Sequence, residues 1–236
     1  GVREDLVKNF GISPHKIRVI FNPCDPDRLS RQATATLSHP WFDQEMPVFV
    51  ALGRLTAVKN FSLLLRACAL ARRETPLRLL FLGQGELAET LKQEAKALHV
   101  EDVTDFPGFK ENPFPFLARA RALVLSSVQE GFPMAVLEAM ALGVPVIATR
   151  CFEECEELVG QGVNGVLVPV GDAPALAAAL TLLARDRDLA RRLGRAGRER
   201  LEDLRPAKVA ARYEEVFRGE GRGNPGPSPR ENPLFC

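Results

Sequence analysis

The chain has 236 residues, of which 46% are apolar and 26% charged, so it can bury a sizeable core and lacks the polar excess of a disordered protein. Its 31 basic and 30 acidic side chains leave a net charge of +1, which provides no overall attraction to nucleic acid or to an anionic membrane. No apolar run is long enough to span a bilayer and no signal peptide precedes the first helix, so we expect a cytoplasmic location.

Residues 1–46 differ in pattern from the rest of the chain. VREDLVKNF predicts a helix that ends at Gly11, and KIRVIF predicts a strand, so residues 1–24 look like the last αβ unit and hinge of a preceding domain. Residues 25–46 are rich in proline and polar side chains and predict a linker. The sequence therefore predicts a further domain upstream.

Residues 47–218 alternate short apolar runs with helical patterns. Runs rich in Val, Leu, Ile and Phe that alternate with helices indicate βαβ units, and hence a doubly wound parallel α/β sheet of Rossmann-like type. The predicted strands are PVFVALG, LRLLFLG, VTDFPGF, ALVLSS, VPVIAT and GVLVPV. Ligands of such sheets bind beyond the carboxyl ends of the strands, so the turns after these runs are the places to look for a site. The Gly- and Pro-rich residues 219–236 predict a disordered tail.

The cysteines suggest neither a metal site nor a disulfide framework. They are odd in number and contain no C-x-x-C pair: Cys24, Cys68, Cys151, Cys155 and Cys236. We therefore expect reduced thiols and no bound metal.

Glu138 is the most informative single residue. It is the only charge between Glu130 and Arg150, on a predicted helix of otherwise apolar side chains. An ionised carboxylate in apolar surroundings is costly unless it accepts hydrogen bonds, and the diol of a ribose could donate them. The alternative is a helix that simply exposes Glu138 on one side.

The start of the same helix predicts an anion site. Pro133 suits the first turn, where a missing N–H costs nothing, and the next residues present backbone donors at the positive helix end. Phosphate oxygens could accept from Met134, Ala135 and Val136. Just outside the helix, Glu130 could accept hydrogen bonds from sugar hydroxyls, and Gly131 would let a ligand approach the backbone.

Two further turns carry candidate residues. GRLTAVKNF follows the first strand of the sheet, and its Arg54 and Lys59 suit a diphosphate, although both could be ordinary surface cations. GQGELA follows the second strand and fits the dinucleotide pattern G-x-G-x-x-G/A. Because Glu86 would place negative charge where a pyrophosphate should bind, close packing of that turn is the better interpretation.

Several segments together resemble, in order and spacing, the C-terminal domain of family-four retaining glycosyltransferases of the GT-B type, also called glycosyl transferases group 1. The segments are GRLTAVKN, LGQGEL, NGVLVPVGD and the long stretch from FPGFKENP to VPVIAT. The resemblance covers residues 47–218, and its specific element is E-x7-E, which Glu130 and Glu138 supply. It implies the C-terminal half of a GT-B fold.

The resemblance also implies a donor site for a nucleoside diphosphate sugar, first of all a UDP-sugar. Arg54 and Lys59 would bind the diphosphate, Glu138 the ribose and Glu130 the transferred sugar, so that Arg54, Lys59 and Glu130 are the expected catalytic residues. Backbone near Phe109 and Lys110 would face the base. The remaining expected donor-binding residues are Gly53, Gly131, Phe132, Met134, Ala135 and Val136.

The implied reaction is sugar transfer with retention to a glycan or lipid-linked acceptor, without a cofactor or metal. An N-terminal GT-B domain, in cis or in trans, would supply the acceptor site, and the isolated chain would have little activity. Peripheral membrane association through that domain stays open, at the cytoplasmic face. Two alternatives also stay open: a non-catalytic nucleotide-sugar-binding subunit that works with a separate chain, and a GT-B nucleotide-sugar epimerase.

Overall fold

The computed structural model describes residues 2–152 and 155–219, which form two compact units. One unit is Asp25–Leu201, and the other combines Gly1–Cys24 with Glu202–Cys236. The strands are β1 (Val48–Leu52), β2 (Arg78–Leu82), β3 (Thr104–Gly108), β4 (Ala122–Leu125), β5 (Val146–Thr149) and β6 (Gly165–Val168). The helices are α1 (Val2–Lys8), α2 (Pro26–Ala33), α3 (Phe61–Ala71), α4 (Ala88–Ala97), α5 (Phe114–Ala118), α6 (Met134–Ala141), α7 (Cys155–Leu158), α8 (Ala173–Arg185), α9 (Arg187–Arg200) and α10 (Pro206–Phe217).

The unit Asp25–Leu201 contains a six-stranded parallel sheet in the order β3-β2-β1-β4-β5-β6. Each of the six predicted strands is present, and the predicted doubly wound α/β fold is confirmed. Phe49 and Val50 are adjacent in β1 and therefore point to opposite faces of the sheet, yet both are 0% exposed. Helices consequently cover both faces. The strand order reverses between β1 and β4, which makes this pair the topological switch point.

The core is apolar because the strands are continuous runs of Val, Leu, Ile and Phe, as parallel sheets require. α3 and α8 pack against one another, and α6 packs against β4, β5 and α9. The contact between α6 and the sheet fixes the helix that carries Glu138 beside the switch point.

Residues 25–46 differ from the predicted linker, because they fold onto the sheet domain. α2 begins at Pro26, and the Asp25 carboxylate caps it by accepting hydrogen bonds from the N–H groups of Asp27 and Arg28 at 3.1 and 3.0 Å. Leu29 is 2% exposed, and α2 packs against α5 and α6. Proline was a poor indicator of a linker here, since Pro26 occupies the first helical turn, where it is well tolerated.

The other unit contains α1 and α10, and Cys24 donates its N–H to Leu204 O at 2.8 Å. The helix predicted at the start of the chain is present, but the strand predicted at KIRVIF is not formed: residues 17–21 have no regular structure. A strand needs a neighbour with which to pair, and no described segment pairs with this one. Residues 202–218 were predicted to end the sheet domain but belong to this unit, and the predicted tail lies outside the described residues from 220 onwards.

Two other features follow from the described residues. No helix among them is long and apolar enough to cross a bilayer. The four cysteines in the described part of the chain, Cys24, Cys68, Cys151 and Cys155, are buried. Burial raises the pKa of the Cys68 thiol to about 12 and also raises the pKa of Cys151, so these thiols stay protonated at neutral pH.

Candidate functional site

The candidate site lies where the chain leaves the carboxyl ends of β1 and β4, the two neighbouring strands of the switch point. The segment after β1 and the segment after β4 are joined directly, because Val128 donates its N–H to Val58 O at 2.9 Å. In open α/β sheets this crevice is the usual ligand-binding position. The sheet topology therefore collects the charged residues of two turns at one place.

The turn after β1 is held by the turn after β2. Gly53 donates its N–H to Leu82 O at 3.0 Å, and Leu55 donates to Gln84 O at 2.9 Å. A side chain at Gly83 would collide with the Gly53 carbonyl, and a Cβ at Gly85 would lie 2.7 Å from the Leu55 backbone nitrogen. GQGELA thus packs closely against the segment that carries Arg54 and Lys59, in agreement with the packing interpretation.

Lys59 and Glu130 form the centre of the site. Lys59 Nζ donates to Glu130 Oε1 at 2.6 Å, and the two side chains are only 24% and 12% exposed. A Cβ at Gly53 would lie 3.1 Å from Lys59 Cε, so this glycine gives the lysine its space. Two residues that are distant in the sequence are thereby brought into one ion pair at the switch point.

A hydroxyl network fixes the position of this pair. Ser127 Oγ donates to Glu130 Oε1 at 2.6 Å, and Thr149 Oγ1 donates to Ser127 O at 2.6 Å. Ser126 Oγ donates to Lys59 O at 2.8 Å. Ser126, Ser127 and Thr149 are buried, so water does not compete for their hydrogen bonds. These hydroxyls therefore hold the Glu130 carboxylate and the Lys59 backbone in place. The Glu130 N–H also donates to Cys151 O at 3.0 Å.

Arg54 is close in sequence to Lys59 but lies in different surroundings. It is exposed, and its guanidinium makes no hydrogen bond or ion pair within the described part of the chain. The predicted cation pair therefore consists of one lysine held by Glu130 and one arginine whose guanidinium has no partner in residues 2–152 and 155–219. An arginine in that state can reach an anion without first breaking an ion pair.

The start of α6 differs in detail from its prediction. Pro133 is the N-cap, with φ −79° and ψ 92°, and the helix begins at Met134. Val136 donates its N–H to Pro133 O at 3.0 Å, so the backbone donor predicted there for a phosphate is already used. This hydrogen bond lies within the first turn of the helix and leaves the Val136 N–H with a protein partner. The N-cap residue Pro133 makes no side-chain capping hydrogen bond, and a Cβ at Gly131 would meet no described atom within 4 Å, so a ligand can approach the backbone at Gly131.

Glu138 is half-buried and its carboxylate accepts no hydrogen bond from the residues that the structure describes. Burial raises the pKa of the Glu138 carboxyl above its ordinary value, and the positive charge of Arg28 opposes that shift. Arg28 is an exposed residue of α2, the helix that packs against α6. The carboxylate is therefore partly desolvated, and no described group donates a hydrogen bond to it.

Phe109 and Lys110 follow β3, two strands away from β1 in the sheet. Phe109 is 66% exposed, which is unusual for a large aromatic side chain, and Lys110 is half-buried. Phe132 is also half-buried, whereas Met134 is 39% exposed. These residues share the carboxyl edge of the sheet with the Lys59–Glu130 pair, but no hydrogen bond or ion pair between them and this pair is observed among the described residues.

Sequence reasoning missed Ser126, Ser127, Thr149 and Arg28. The sequence places Ser126 and Ser127 only at the end of a predicted strand, and it places Arg28 in the predicted linker. A signal for the serines existed, because hydroxyls directly after a buried strand must find partners at the carboxyl edge. No comparable local signal marked Arg28, because its proximity to Glu138 depends on how α2 packs.

The strand order defines a Rossmann-like α/β domain, and the charged cluster at its switch point is a candidate ligand site at the carboxyl edge of the sheet. The model of the family described as glycosyl transferases group 1 matches residues 38–200, and the chain belongs to this family. Its solved structural neighbours are GT-B glycosyltransferases.

Two of the curated relatives carry the names of glycosyltransferases. The chain is 30% identical over 210 residues to the N-acetylgalactosamine-N,N'-diacetylbacillosaminyl-diphospho-undecaprenol 4-alpha-N-acetylgalactosaminyltransferase of Campylobacter jejuni, covering 89% of this chain and 56% of that protein. It is 34% identical over 186 residues to the lipopolysaccharide core biosynthesis glycosyltransferase LpsE of Rhizobium meliloti, covering 79% and 53%. The chain thus spans about half the length of these relatives.

Two solved structures illustrate the fold. Sucrose-phosphate synthase from Thermosynechococcus elongatus superimposes with a TM-score of 0.76 at 27% identity, covering 93% of this chain and 56% of that one. HepE from Anabaena, solved in complex with UDP, superimposes with a TM-score of 0.73 at 21% identity, covering 86% and 57%. The second likeness concerns the fold alone.

Proposed function

We propose that the chain is the donor-binding domain of a retaining glycosyltransferase that takes its sugar from a nucleoside diphosphate sugar, first of all a UDP-sugar. The acceptor is a glycan or a lipid-linked glycan, and an N-terminal GT-B domain, in cis or in trans, completes the acceptor side. The names of the Campylobacter and Rhizobium relatives support this acceptor class. The UDP held by HepE supports the choice of base. The reaction takes place on the cytoplasmic side, at the membrane face when the acceptor is lipid-linked.

The observation that carries the proposal is the Lys59–Glu130 ion pair at the switch point. A partly buried ion pair gives little net stability, since desolvation of both charges offsets their attraction. Because the pair lies in the crevice where such sheets usually bind ligands, we infer that it contributes to ligand binding rather than to stability. Lys59 has three N–H donors and uses one on Glu130, so it can also bind a diphosphate oxygen, and Arg54 can add a planar fork.

The proposed chemistry assigns one task to each charged group. The bond between the anomeric carbon and the diphosphate oxygen breaks, and the diphosphate leaves with the electron pair. Lys59 and Arg54 neutralise the charge that grows on it. The acceptor hydroxyl attacks the same face of the sugar and passes its proton to the departing phosphate oxygen, which gives retention without a protein base or a metal. Glu130, oriented by Ser127, accepts hydrogen bonds from the sugar hydroxyls.

Glu138 completes the donor site by accepting hydrogen bonds from the ribose hydroxyls. Its carboxylate is half-buried and accepts no hydrogen bond from the described residues, so the ribose diol would supply the missing donors. The exposed ring of Phe109 and the backbone near Lys110 would lie toward the base. Gly131 leaves room for the sugar beside the backbone.

Calorimetric titration with UDP tests the proposal. Glu138→Gln keeps the size of the side chain but removes its charge, so we expect a loss of UDP affinity of about tenfold, which corresponds to one charge-assisted hydrogen bond. Glu199→Gln on the exposed face of α9 is the matched control and should bind as wild type does. Absence of UDP binding, or equal affinity of all three proteins, would contradict the assignment.

A transfer assay separates the remaining alternatives. A protein that binds UDP and transfers sugar only after addition of a chain that carries the N-terminal half is a binding subunit of a two-chain enzyme. Isomerisation of the UDP-sugar without any acceptor indicates an epimerase instead. Transfer to an acceptor with unchanged anomeric configuration supports the retaining transferase.

A further inference from the structure

A second concave site lies at the opposite edge of the sheet, where β1, β4 and β5 begin. Its volume is about 920 Å³. One wall is the segment 41–46, the floor is formed by residues that precede the three strands, and the other wall is the start of α9. Because the strands are parallel, this groove opens at their amino ends and is separate from the candidate donor site at their carboxyl ends.

Three arginines converge at the α9 side of this groove: Arg121, Arg187 and Arg191. Arg121 is half-buried and cannot turn away, because its Nη1 donates to Leu183 O and Ala184 O at 2.8 Å each. Burial lowers the pKa of Arg121, and the charges of Arg187 and Arg191 lower this pKa further. Arg187 and Arg191 are therefore both close enough to Arg121 to repel its charge.

The surrounding carboxylates compensate this charge poorly. Asp188 lies 3.6 Å from Arg191, but its side chain is 93% exposed, so the pair is screened by water. Arg187 has no ion-pair partner among the described residues. The two carboxylates that line the groove, Asp43 and Glu45, are exposed and stand on the opposite wall, where Asp43 lies 3.8 Å from Arg119. The α9 side of the groove thus presents three arginines in a concave space, and Arg121 among them is held in place by the carbonyls of α8.

We propose that this groove binds a phosphate-bearing ligand. A guanidinium presents N–H donors in a planar fork that matches two phosphate oxygens, and a doubly charged phosphate would relieve the repulsion among the three arginines. The ligand is a soluble phosphate compound or the headgroup of an anionic phospholipid, two sources of the same chemistry.

The test uses a double variant on α9 and a matched control on the same helix. Arg187→Gln with Arg191→Gln removes two groove charges but leaves Arg121, which supports α8. Arg195→Gln with Arg198→Gln removes two exposed charges of α9 that do not line the groove. All proteins also carry Arg54→Ala and Lys59→Ala, so that phosphate binding at the candidate donor site does not contribute.

Inorganic pyrophosphate is titrated by calorimetry, and sedimentation with phosphatidylcholine vesicles, with and without phosphatidylglycerol, is measured in parallel. We expect the groove variant to lose at least about tenfold in affinity, against less than about twofold for the control. Loss of pyrophosphate binding assigns a soluble ligand, and loss of binding only to the phosphatidylglycerol vesicles assigns a lipid headgroup. Either result supports the proposal.

Three results would overturn it: equal losses in the groove variant and the control, no binding of either probe by the parent protein, or stronger binding of a polyglutamate peptide than of both phosphate probes. Circular dichroism melts of every variant accompany the titrations. If the double variant melts below its parent, Arg187→Gln alone replaces it, because this side chain makes no described ion pair whose loss could destabilise the helix.

Discussion

Glu130 and Glu138 have the same side chain but opposite surroundings. Glu130 is held by Lys59 Nζ and Ser127 Oγ, both on the same carboxylate oxygen. Glu138 lies half-buried on α6, and the described residues donate no hydrogen bond to its carboxylate. The first is oriented by the protein, while the second depends on whatever enters the crevice. Because of this difference, Glu130 is proposed to contact the sugar from a fixed position, whereas Glu138 is proposed to receive its hydrogen bonds from the bound ribose.

The raised pKa of Glu138 predicts that this residue lowers the stability of the nucleotide-free protein. A carboxyl whose pKa is higher in the folded state than in the unfolded state stabilises the fold while protonated, and this contribution is lost as the pH rises through the folded pKa. At neutral pH the ionised group is therefore unfavourable. We expect Glu138→Gln to raise the Tm by about 1–3 °C at pH 7 in calorimetric melts without nucleotide.

The same melts at lower pH provide the check on the cause. The advantage of Glu138→Gln should disappear at acidic pH, where the wild-type carboxyl is protonated as well. Glu199→Gln on the exposed surface should leave the Tm unchanged at every pH. A Tm advantage that persists at acidic pH would assign the effect to something other than the charge.

At the scale of elements, the turns after β1 and β2 act as one unit. Backbone hydrogen bonds from Gly53 to Leu82 and from Leu55 to Gln84 join them. Gly83 has φ +154°, and its missing side chain leaves space for the Gly53 carbonyl. The glycines of GQGELA therefore support the turn that carries Arg54 and Lys59. This packing role accounts for glycines that match a dinucleotide-binding pattern without requiring that a dinucleotide binds there.

Gly83→Ala should separate these two turns. A Cβ at this position collides with backbone that cannot rotate away, so we expect a loss of about 3 kcal/mol or more in the free energy of unfolding, measured by urea titration. UDP affinity should fall at the same time, because Lys59 is displaced.

Gly131→Ala is the matched control, since its Cβ would point into open space. It should change the free energy of unfolding by less than about 0.5 kcal/mol, although it can weaken the binding of the donor sugar. Equal stability of Gly83→Ala and Gly131→Ala would contradict the role assigned to the turns.

Elements also differ in how far local sequence predicts them. The six strands were predictable because each is a buried apolar run bounded by Gly, Pro or polar residues. α2 was not, because its short polar sequence folds through the Asp25 cap and the burial of Leu29 against another part of the chain. KIRVIF has a strand-like sequence, but strand formation depends on a neighbour, and no described segment pairs with it.

At the scale of the whole molecule, the chain combines a sheet domain of residues 25–201 with a smaller unit of chain ends. The main hydrophobic core runs from Phe49 to Leu193 and is contained entirely in the first unit. Every candidate donor-binding residue, from Gly53 to Glu138, lies there too. Arg28 in α2 belongs to the same unit.

Residues 25–201 should therefore fold and bind UDP without the rest of the chain. We expect a cooperative thermal melt by circular dichroism and a UDP affinity within about twofold of the full chain, because the main core and every candidate donor-binding residue lie within residues 25–201. An aggregated or non-cooperative fragment would show that the chain ends are needed for folding, and a folded fragment without UDP affinity would place part of the site outside residues 25–201.

The sequence by itself determined the parallel α/β sheet, the turns at its carboxyl edge and the charged residues of those turns. It could do so because apolar periodicity, helix capping and glycine turns are local properties. Only the tertiary structure decided that Lys59 is paired with Glu130, that Ser127 orients this carboxylate, and that α2 brings Arg28 near Glu138. Lys59 and Glu130 are 71 positions apart, and Arg28 and Glu138 are farther apart still, so both contacts depend on which strands and helices become neighbours.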